Sequence, residues 1–280
     1  MKKIGFQGEK GAYSELAAFN CFGPGIATVP FREFAGVFHA VMTRKVDVGI
    51  IPIENSLAGS IHQNYDLMLE HEVKIIGEFK QRVNHHLLAP HGVKLGQIRR
   101  VYSHPQALAQ CQNFFRTHKN IEPVSYFDTA GSARHIATLG DPAAAAIASI
   151  QAAKEYNLKA IQSSIEDSEE NSTRFLLLVR QNSRLKPPHA GEKGLIKTSI
   201  VFALRDIPGA LFKGLSVFAL RDIDLVKIES RPYPGSPWRY LFYLDFLGDS
   251  RDDVSVKAIN NLREITVFLK VLGSYAAVKK

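Results

Sequence analysis

Asn171-Ser172-Thr173-Arg174-Phe175 sets amide, hydroxyl and guanidinium groups at the start of the apolar run Phe175–Val179. Polar groups at the mouth of a buried strand cost about 1–3 kcal/mol each when left unpaired, so this cluster needs partners. One use is a turn in which Arg174 caps an acidic neighbour, Glu169 or Glu170. The other is a site. A threonine hydroxyl is a poor bulk acid, but it can donate a hydrogen bond or relay a proton. A guanidinium matches a carboxylate bidentately, although Arg174 serves a structural ion pair equally well. Glu54 and His104 are the titratable groups that could stand behind Thr173. Phe175 reads mainly as sheet packing.

Neutral donors suited to carboxylate or carbonyl oxygens recur along the chain at Asn55, Ser56, Ser103, Gln106 and Asn171. Ser14 and Tyr13 follow a loop in which Gly8 and Gly11 permit tight turns. That loop lacks the Gly-Lys-Ser/Thr ending of a nucleotide-binding P-loop. Ser103 and His104 are adjacent, which is a poor nucleophile-base geometry, and no Gly-x-Ser-x-Gly elbow surrounds a serine. His85 and His86, on a strand, would point to opposite faces. No metal and no organic cofactor is expected.

Strand-like runs at 3–6, 46–53, 74–79, 83–89, 99–102, 123–127, 144–148 and 175–179 must position these groups. Helical patterns lie between them, near 14–21, 33–44, 57–70, 105–117, 130–139 and 149–156. Such alternation predicts an α/β fold with largely parallel sheets. Several helices open on Ser, Asn, Asp or Thr just after a strand, the end at which open α/β sheets bind ligands. Free N–H groups there favour a small carboxylate. The polar stretch 182–194, with Pro187-Pro188, reads as a linker. Beyond it, a strand at 198–204, a helix bearing Leu211, Leu215 and Phe218, strands at 225–230 and 240–246 joined through the turn-rich 232–237, a helix near 252–263 and a strand at 265–272 follow the βαββαβ ferredoxin-like plan.

With 280 residues, more than one domain is expected. Lys2-Lys3 is not followed by a continuous apolar segment, so no secretory signal is read, and no apolar run is long enough to span a bilayer. Cys21 and Cys111 lack metal-ligand spacing and suit a reducing compartment, here taken as the cytoplasm. The formal net charge of +8 is not organised into a basic stripe. It fits a solvated surface, or steering of a small dianion, and the basic clusters, such as Arg99-Arg100 and Lys279-Lys280, are short.

Six motifs in order carry a resemblance. Gly8-Glu9-Lys10-Gly11-Ala12-Tyr13-Ser14-Glu15, Pro52-Ile53-Glu54-Asn55-Ser56, Ser103-His104-Pro105-Gln106-Ala107-Leu108 and Thr173-Arg174-Phe175 resemble those of the prephenate dehydratases. Pro208-Gly209-Ala210-Leu211 and Lys227-Ile228-Glu229-Ser230-Arg231-Pro232 resemble the two effector-binding motifs of that family's C-terminal ACT domain. Glu9-Lys10 departs from the family's more usual Pro after the first Gly.

The resemblance implies a two-lobed, periplasmic-binding-protein-like catalytic region over 1–181, with one lobe at about 1–80 and 160–181 and the other at about 81–159. An ACT domain would occupy 195–280. It implies loss of carbon dioxide and water from prephenate to give phenylpyruvate, on the way to phenylalanine. Thr173, Arg174, Phe175 and Glu54 would be catalytic; Ser14, Asn55, Ser56, Ser103, His104, Gln106 and Asn171 would bind substrate. L-Phenylalanine would act as a feedback inhibitor at Pro208, Gly209, Ala210, Leu211, Glu229, Ser230, Arg231 and Pro232, in a homodimer or homotetramer. The rivals are an arogenate dehydratase acting on the amino-bearing substrate, a non-enzymatic small-acid sensor and, last, a nucleic-acid binder.

Overall fold

The computed structural model describes residues 1–186, 195–236 and 239–278. Residues 187–194 of the expected linker, Pro237 of the expected turn and the terminal Lys279-Lys280 lie outside the described residues. The chain forms two compact units, Met1–Ile61 with Lys80–Phe175, and His62–Phe79 with Leu176–Lys280. Residues 62–79 thus join the C-terminal unit rather than the region that precedes them. Among the described residues, no helix is long and apolar enough to cross a membrane.

The chain opens with β1 (Lys2–Gln7), α1 (Tyr13–Phe22), β2 (Ile26–Phe31), α2 (Phe34–Met42), β3 (Val48–Asn55) and the short β4 (Gly59–Ser60). Next come α3 (His62–Glu70), β5 (Val73–Arg82), β6 (His86–Ala89), β7 (Arg100–Ser103), α4 (Pro105–Ala109) and α5 (Gln112–Thr117). β8 (Glu122–Ser125), α6 (Thr129–Leu139), β9 (Ala144–Ala148), α7 (Ile150–Glu155), β10 (Lys159–Gln162) and β11 (Ser172–Arg180) complete this part. One sheet has the order β2-β1-β3-β11-β5, with β4 paired to β3, and a second has the order β10-β6-β9-β7-β8. β1 runs parallel to β2 and β3, as right-handed strand-helix-strand crossovers require. The second sheet is mixed: β7 is parallel to β8 and β9, whereas β6 is antiparallel to β9 and β10. β6 and the next strand of that sheet, β7, run in opposite directions and are joined without an α-helix.

Two further expectations change. The single helix near 57–70 begins only at His62, because 57–61 form the turn and return strand of the β3–β4 hairpin. The pattern at 105–117 breaks into α4 and α5. A distant carboxylate does this: Asp167 accepts from the amides of Gln112 and Asn113 at 2.8 and 2.9 Å, capping a new helix start.

The second unit holds β12 (Ile196–Leu204), α8 (Ala210–Ala219), β13 (Leu225–Pro232), β14 (Tyr240–Leu247), α9 (Asp253–Ile265) and β15 (Thr266–Ala276). Their sheet order, β13-β14-β12-β15, is fully antiparallel and has the ferredoxin-like arrangement. Phe202, Phe218, Phe246, Ile259 and Leu262 form its core between sheet and helices. α3 is fastened to the same unit by Arg231, whose guanidinium reaches both carboxylate oxygens of Asp66 at 3.2 and 2.7 Å. His62 and Glu229 meet at 3.0 Å, and the Tyr243 hydroxyl donates to the Tyr65 carbonyl at 2.8 Å. Lys197 and Glu78 form a buried ion pair at 2.8 Å.

Candidate active site

A cavity of about 300 Å³ lies in the first unit, at the carboxyl end of β1 and β3 and the amino ends of α1, α4 and α6. Thr173, Phe175, Asn55, Ser14, His104 and Gln106 line it, so six of the expected residues converge from four separate segments of the chain. Side chains alternate across a strand. Thr173 and Phe175 therefore face the cavity, and Arg174 turns to the opposite face of β11, where its Nε stands 2.7 Å from Glu54 Oε1. Neither Arg174 nor Glu54 belongs to the cavity wall, and neither Glu169 nor Glu170 is the acidic neighbour anticipated at the turn. Among the described residues, the lining contains no Lys or Arg.

The remaining expected residues support the wall from behind. Ser103 is fully buried and donates to the Ile147 carbonyl at 2.7 Å, tying β7 to β9. Ser56 donates to the Glu170 carbonyl at 2.8 Å and accepts from the Ser172 amide at 2.9 Å, fixing the entry to β11. Asn171 links two parts of the wall. His104 caps α4, its Nδ1 accepting from the Gln106 amide at 3.2 Å, with Pro105 at the first helical position.

Thr173 is 8 % exposed and sits at the end of an ordered chain of amides. Its start is fixed by the backbone: Asn55 Oδ1 accepts from the N–H groups of Leu57 and Ala58 at 3.0 and 2.9 Å. The Asn55 amide nitrogen therefore faces Asn171 Oδ1 at 2.9 Å, Ser172 O at 3.2 Å and Thr173 Oγ1 at 3.1 Å. Asn171, oriented in turn, donates to Gln110 Oε1 at 2.9 Å. Gln110 Oε1 also lies 2.9 Å from His85 Nε2, so that ring nitrogen carries the hydrogen. His85 Nδ1 is then an acceptor, 2.9 Å from the Tyr13 hydroxyl, whose single hydrogen lies between it and the Asn84 carbonyl at 2.6 Å. Burial lowers the His85 pKa, outweighing the upward pull of Gln110 and Glu166, so the ring is neutral. Burial likewise raises the Tyr13 phenol well above its usual value.

α1 contributes its amino end. Ala12 offers no side-chain cap, leaving the first N–H groups of the helix for a guest, and Ala12, Tyr13 and Ser14 all line the cavity. The loop before it is pinned because Ser149 Oγ donates to the Gly11 carbonyl at 2.6 Å. Pro52, Ile61, Val83 and Phe175 supply an apolar wall for a ring.

His85, Gln110, Asp128 and Thr129 also line the cavity and were not singled out in the sequence as site residues. One signal for Gln110 was available: Gln106 and Gln110, four residues apart on a helix, share a face. His85 carried none, since its partners come from three distant segments.

A second cavity, of about 320 Å³, lies in the second unit and is lined by Gly209, Ala210, Leu211 and Phe212 with Arg239 and Tyr240. Pro208, Glu229, Ser230, Arg231 and Pro232 are not on its wall. Glu229 is held by His62 and, at 3.7 Å, by Lys227, and Arg231 is held by Asp66.

The family profile described as prephenate dehydratase matches residues 4–183. Arogenate dehydratase/prephenate dehydratase 2, chloroplastic, of Arabidopsis thaliana is 48 % identical over 282 residues, covering 98 % of this chain and 72 % of that protein. Among solved structures, prephenate dehydratase from Arthrobacter aurescens in complex with L-Phe superposes with a TM-score of 0.87 at 31 % identity, covering 98 % of this chain and 90 % of that one. GqqA, described as a novel type of quorum quenching acylase, gives a TM-score of 0.89 at 34 % identity, covering 99 % and 98 %. The cytoplasmic expectation is overturned by the chloroplastic relative. It rested on unpaired thiols at Cys21 and Cys111, which indicate a reducing compartment without saying which. The mixed α/β fold, the cavity assembled from the four motif segments and these likenesses agree: the chain is a dehydratase, a carbon–oxygen lyase, and belongs to the prephenate dehydratase family.

Proposed function

We propose that the first-unit cavity removes carbon dioxide and water from the prephenate skeleton, converting prephenate to phenylpyruvate or its amino analogue arogenate to phenylalanine. The electron pair of the bond to the ring carboxylate moves through the ring diene and expels the hydroxyl at the opposite carbon. Aromatisation drives both departures, so no electron sink is needed. The site has to hold carboxylates at one end and assist a leaving oxygen at the other.

The observation that carries this reading is the bond from Asn55 to Thr173. The Asn55 amide occupies the Thr173 oxygen as an acceptor, which leaves the hydroxyl hydrogen for a guest in the cavity. In this reading Thr173 donates to the departing oxygen, and the chain from Tyr13 to Asn55 keeps it aimed. The amino end of α1, with Ser14 and Gln106, receives carboxylate oxygens without a fixed cation. Phe175 and Val83 flank the ring. Arg174 and Glu54 act as a pair that sets the register of β11 beside β3. With the catalytic region in two lobes and the cavity between its two sheets, the ferredoxin-like unit takes the role of an ACT domain. L-Phenylalanine binds at Gly209–Leu211, in a symmetric oligomer, and lowers turnover; the L-Phe complex of the Arthrobacter relative supports this.

The test is conversion of prephenate and of arogenate by the purified chain and by Thr173→Ala. The variant is expected to lose about 10²–10³ in kcat with KM within a few-fold, the size seen when a single donor to a developing charge is removed. Thr173→Ser, which keeps the hydroxyl, should retain most of the rate. An unchanged kcat in the alanine variant sinks the role given to Thr173.

A further inference from the structure

Asp128 is the one carboxylate among the described residues lining the first-unit cavity. It stands at the N-cap of α6, and its Oδ1 accepts from the Gly131 amide at 2.5 Å. Its Oδ2 is buried and has no hydrogen-bond partner. Capping therefore accounts for one oxygen and leaves the other unexplained. A buried carboxylate oxygen without a partner is costly, and its surroundings do little to relieve it. Burial raises the Asp128 pKa and Glu9 adds to the rise, against the downward pull of the Gly131 and Ala130 amides and of Arg134. Arg134 is itself committed to Glu9 at 2.9 Å.

That placement is wrong for a guest that brings only negative charge, because the cavity wall holds a carboxylate and no Lys or Arg among the described residues. It suits a guest whose side chain ends in an amino acid. There, an ammonium and a carboxylate branch from one carbon and need an anionic acceptor beside free amide donors. The cavity offers both as neighbours: Asp128 at the start of α6, and the uncapped amino end of α1. The Arg134–Glu9 bridge joins α6 to the loop that leads into α1.

Resting on the dehydratase reading above, we propose that Asp128 is a specificity-determining residue: its carboxylate receives the side-chain ammonium of arogenate, so the site favours the amino-bearing substrate over the keto acid prephenate. A hydrogen bond to a charged group is strong enough to set a preference of about ten-fold or more.

The experiment is kcat/KM for arogenate and for prephenate, measured on the full chain and on Asp128→Asn and Asp128→Ser, both of which retain a capping oxygen for α6. The unaltered chain is expected to prefer arogenate. In both variants kcat/KM for arogenate should fall about 10- to 100-fold while that for prephenate rises, so the selectivity ratio drops by at least ten-fold. The thermal midpoint of Asp128→Asn at neutral pH should not fall, since a cap remains and an unpartnered charge is gone. A parallel loss on both substrates with an unmoved ratio would assign Asp128 to capping alone and overturn the proposal. So would an unaltered chain that prefers prephenate, though the dehydratase reading would survive. Turnover of neither substrate would remove both.

Discussion

The Tyr13–His85–Gln110–Asn171–Asn55–Thr173 chain works only with one tautomer and one set of amide orientations, because each donor must meet an acceptor. His85 must stay neutral for its Nδ1 to accept, and the burial that lowers its pKa keeps it so. This gives stability a pH dependence with a definite sign. Below the ordinary histidine value of 6.5 the unfolded chain binds a proton that the folded ring resists, so stability is lost as pH falls from 6.5 toward the depressed folded value. His86, also lowered chiefly by burial, acts in the same window. The thermal midpoint should be steady between pH 8 and 7 and decline below about 6.5, with part of the decline absent in His85→Gln. A profile that stays flat to pH 5, or one identical in the variant, contradicts the neutral buried ring.

At the scale of elements, the loop into α1 depends on Gly11. Its φ is +84°, a conformation that side chains rarely adopt, and a Cβ there would come 2.7 Å from the Ala152 Cα. Its carbonyl accepts from Ser149 and its amide donates to Glu15 Oε2 at 2.6 Å, so the loop is held on both sides. Gly11→Ala should cost about 1–3 kcal/mol, read as a lower thermal midpoint. It should also raise KM, because the amino end of α1 moves away from the carboxylates it would receive. A variant with unchanged stability would mean that α7 yields freely. The Arg174–Glu54 pair illustrates the same scale: one strand sends Thr173 to the cavity and Arg174 away from it.

For the whole molecule, the two units divide the proposed tasks, and coupling between them must be reciprocal: an effector that weakens substrate binding is itself weakened by substrate. Calorimetry should show L-phenylalanine binding to the full chain, abolished by Gly209→Leu, a position with φ +75° on the second cavity. Prephenate or arogenate turnover should fall with the same phenylalanine dependence as the binding. Binding that persists in Gly209→Leu would move the effector elsewhere. Turnover indifferent to phenylalanine would leave the enzyme and remove its regulation.

Order and periodicity along the chain settled much of this architecture before any contact was known. The alternation of strands and helices, the βαββαβ plan after residue 195, the helix that starts after Asp128 and the strand after Asn171 follow from capping residues, Gly and Pro positions and runs of apolar side chains. These are interactions among neighbours in sequence. The motifs around Gly8, Glu54, Ser103 and Thr173 were legible as a resemblance, and a shared site for Ser14, Asn55, His104, Gln106 and Thr173 was what that resemblance implied. Tertiary structure alone decided which side of the wall each group occupies. It paired Arg174 with Glu54, withdrew Ser103 to the Ile147 carbonyl, split α4 from α5 through Asp167, and brought His85 and Asp128 to the cavity. Those outcomes depend on register and packing between segments far apart in sequence, where a shift of one residue reverses the face a side chain presents.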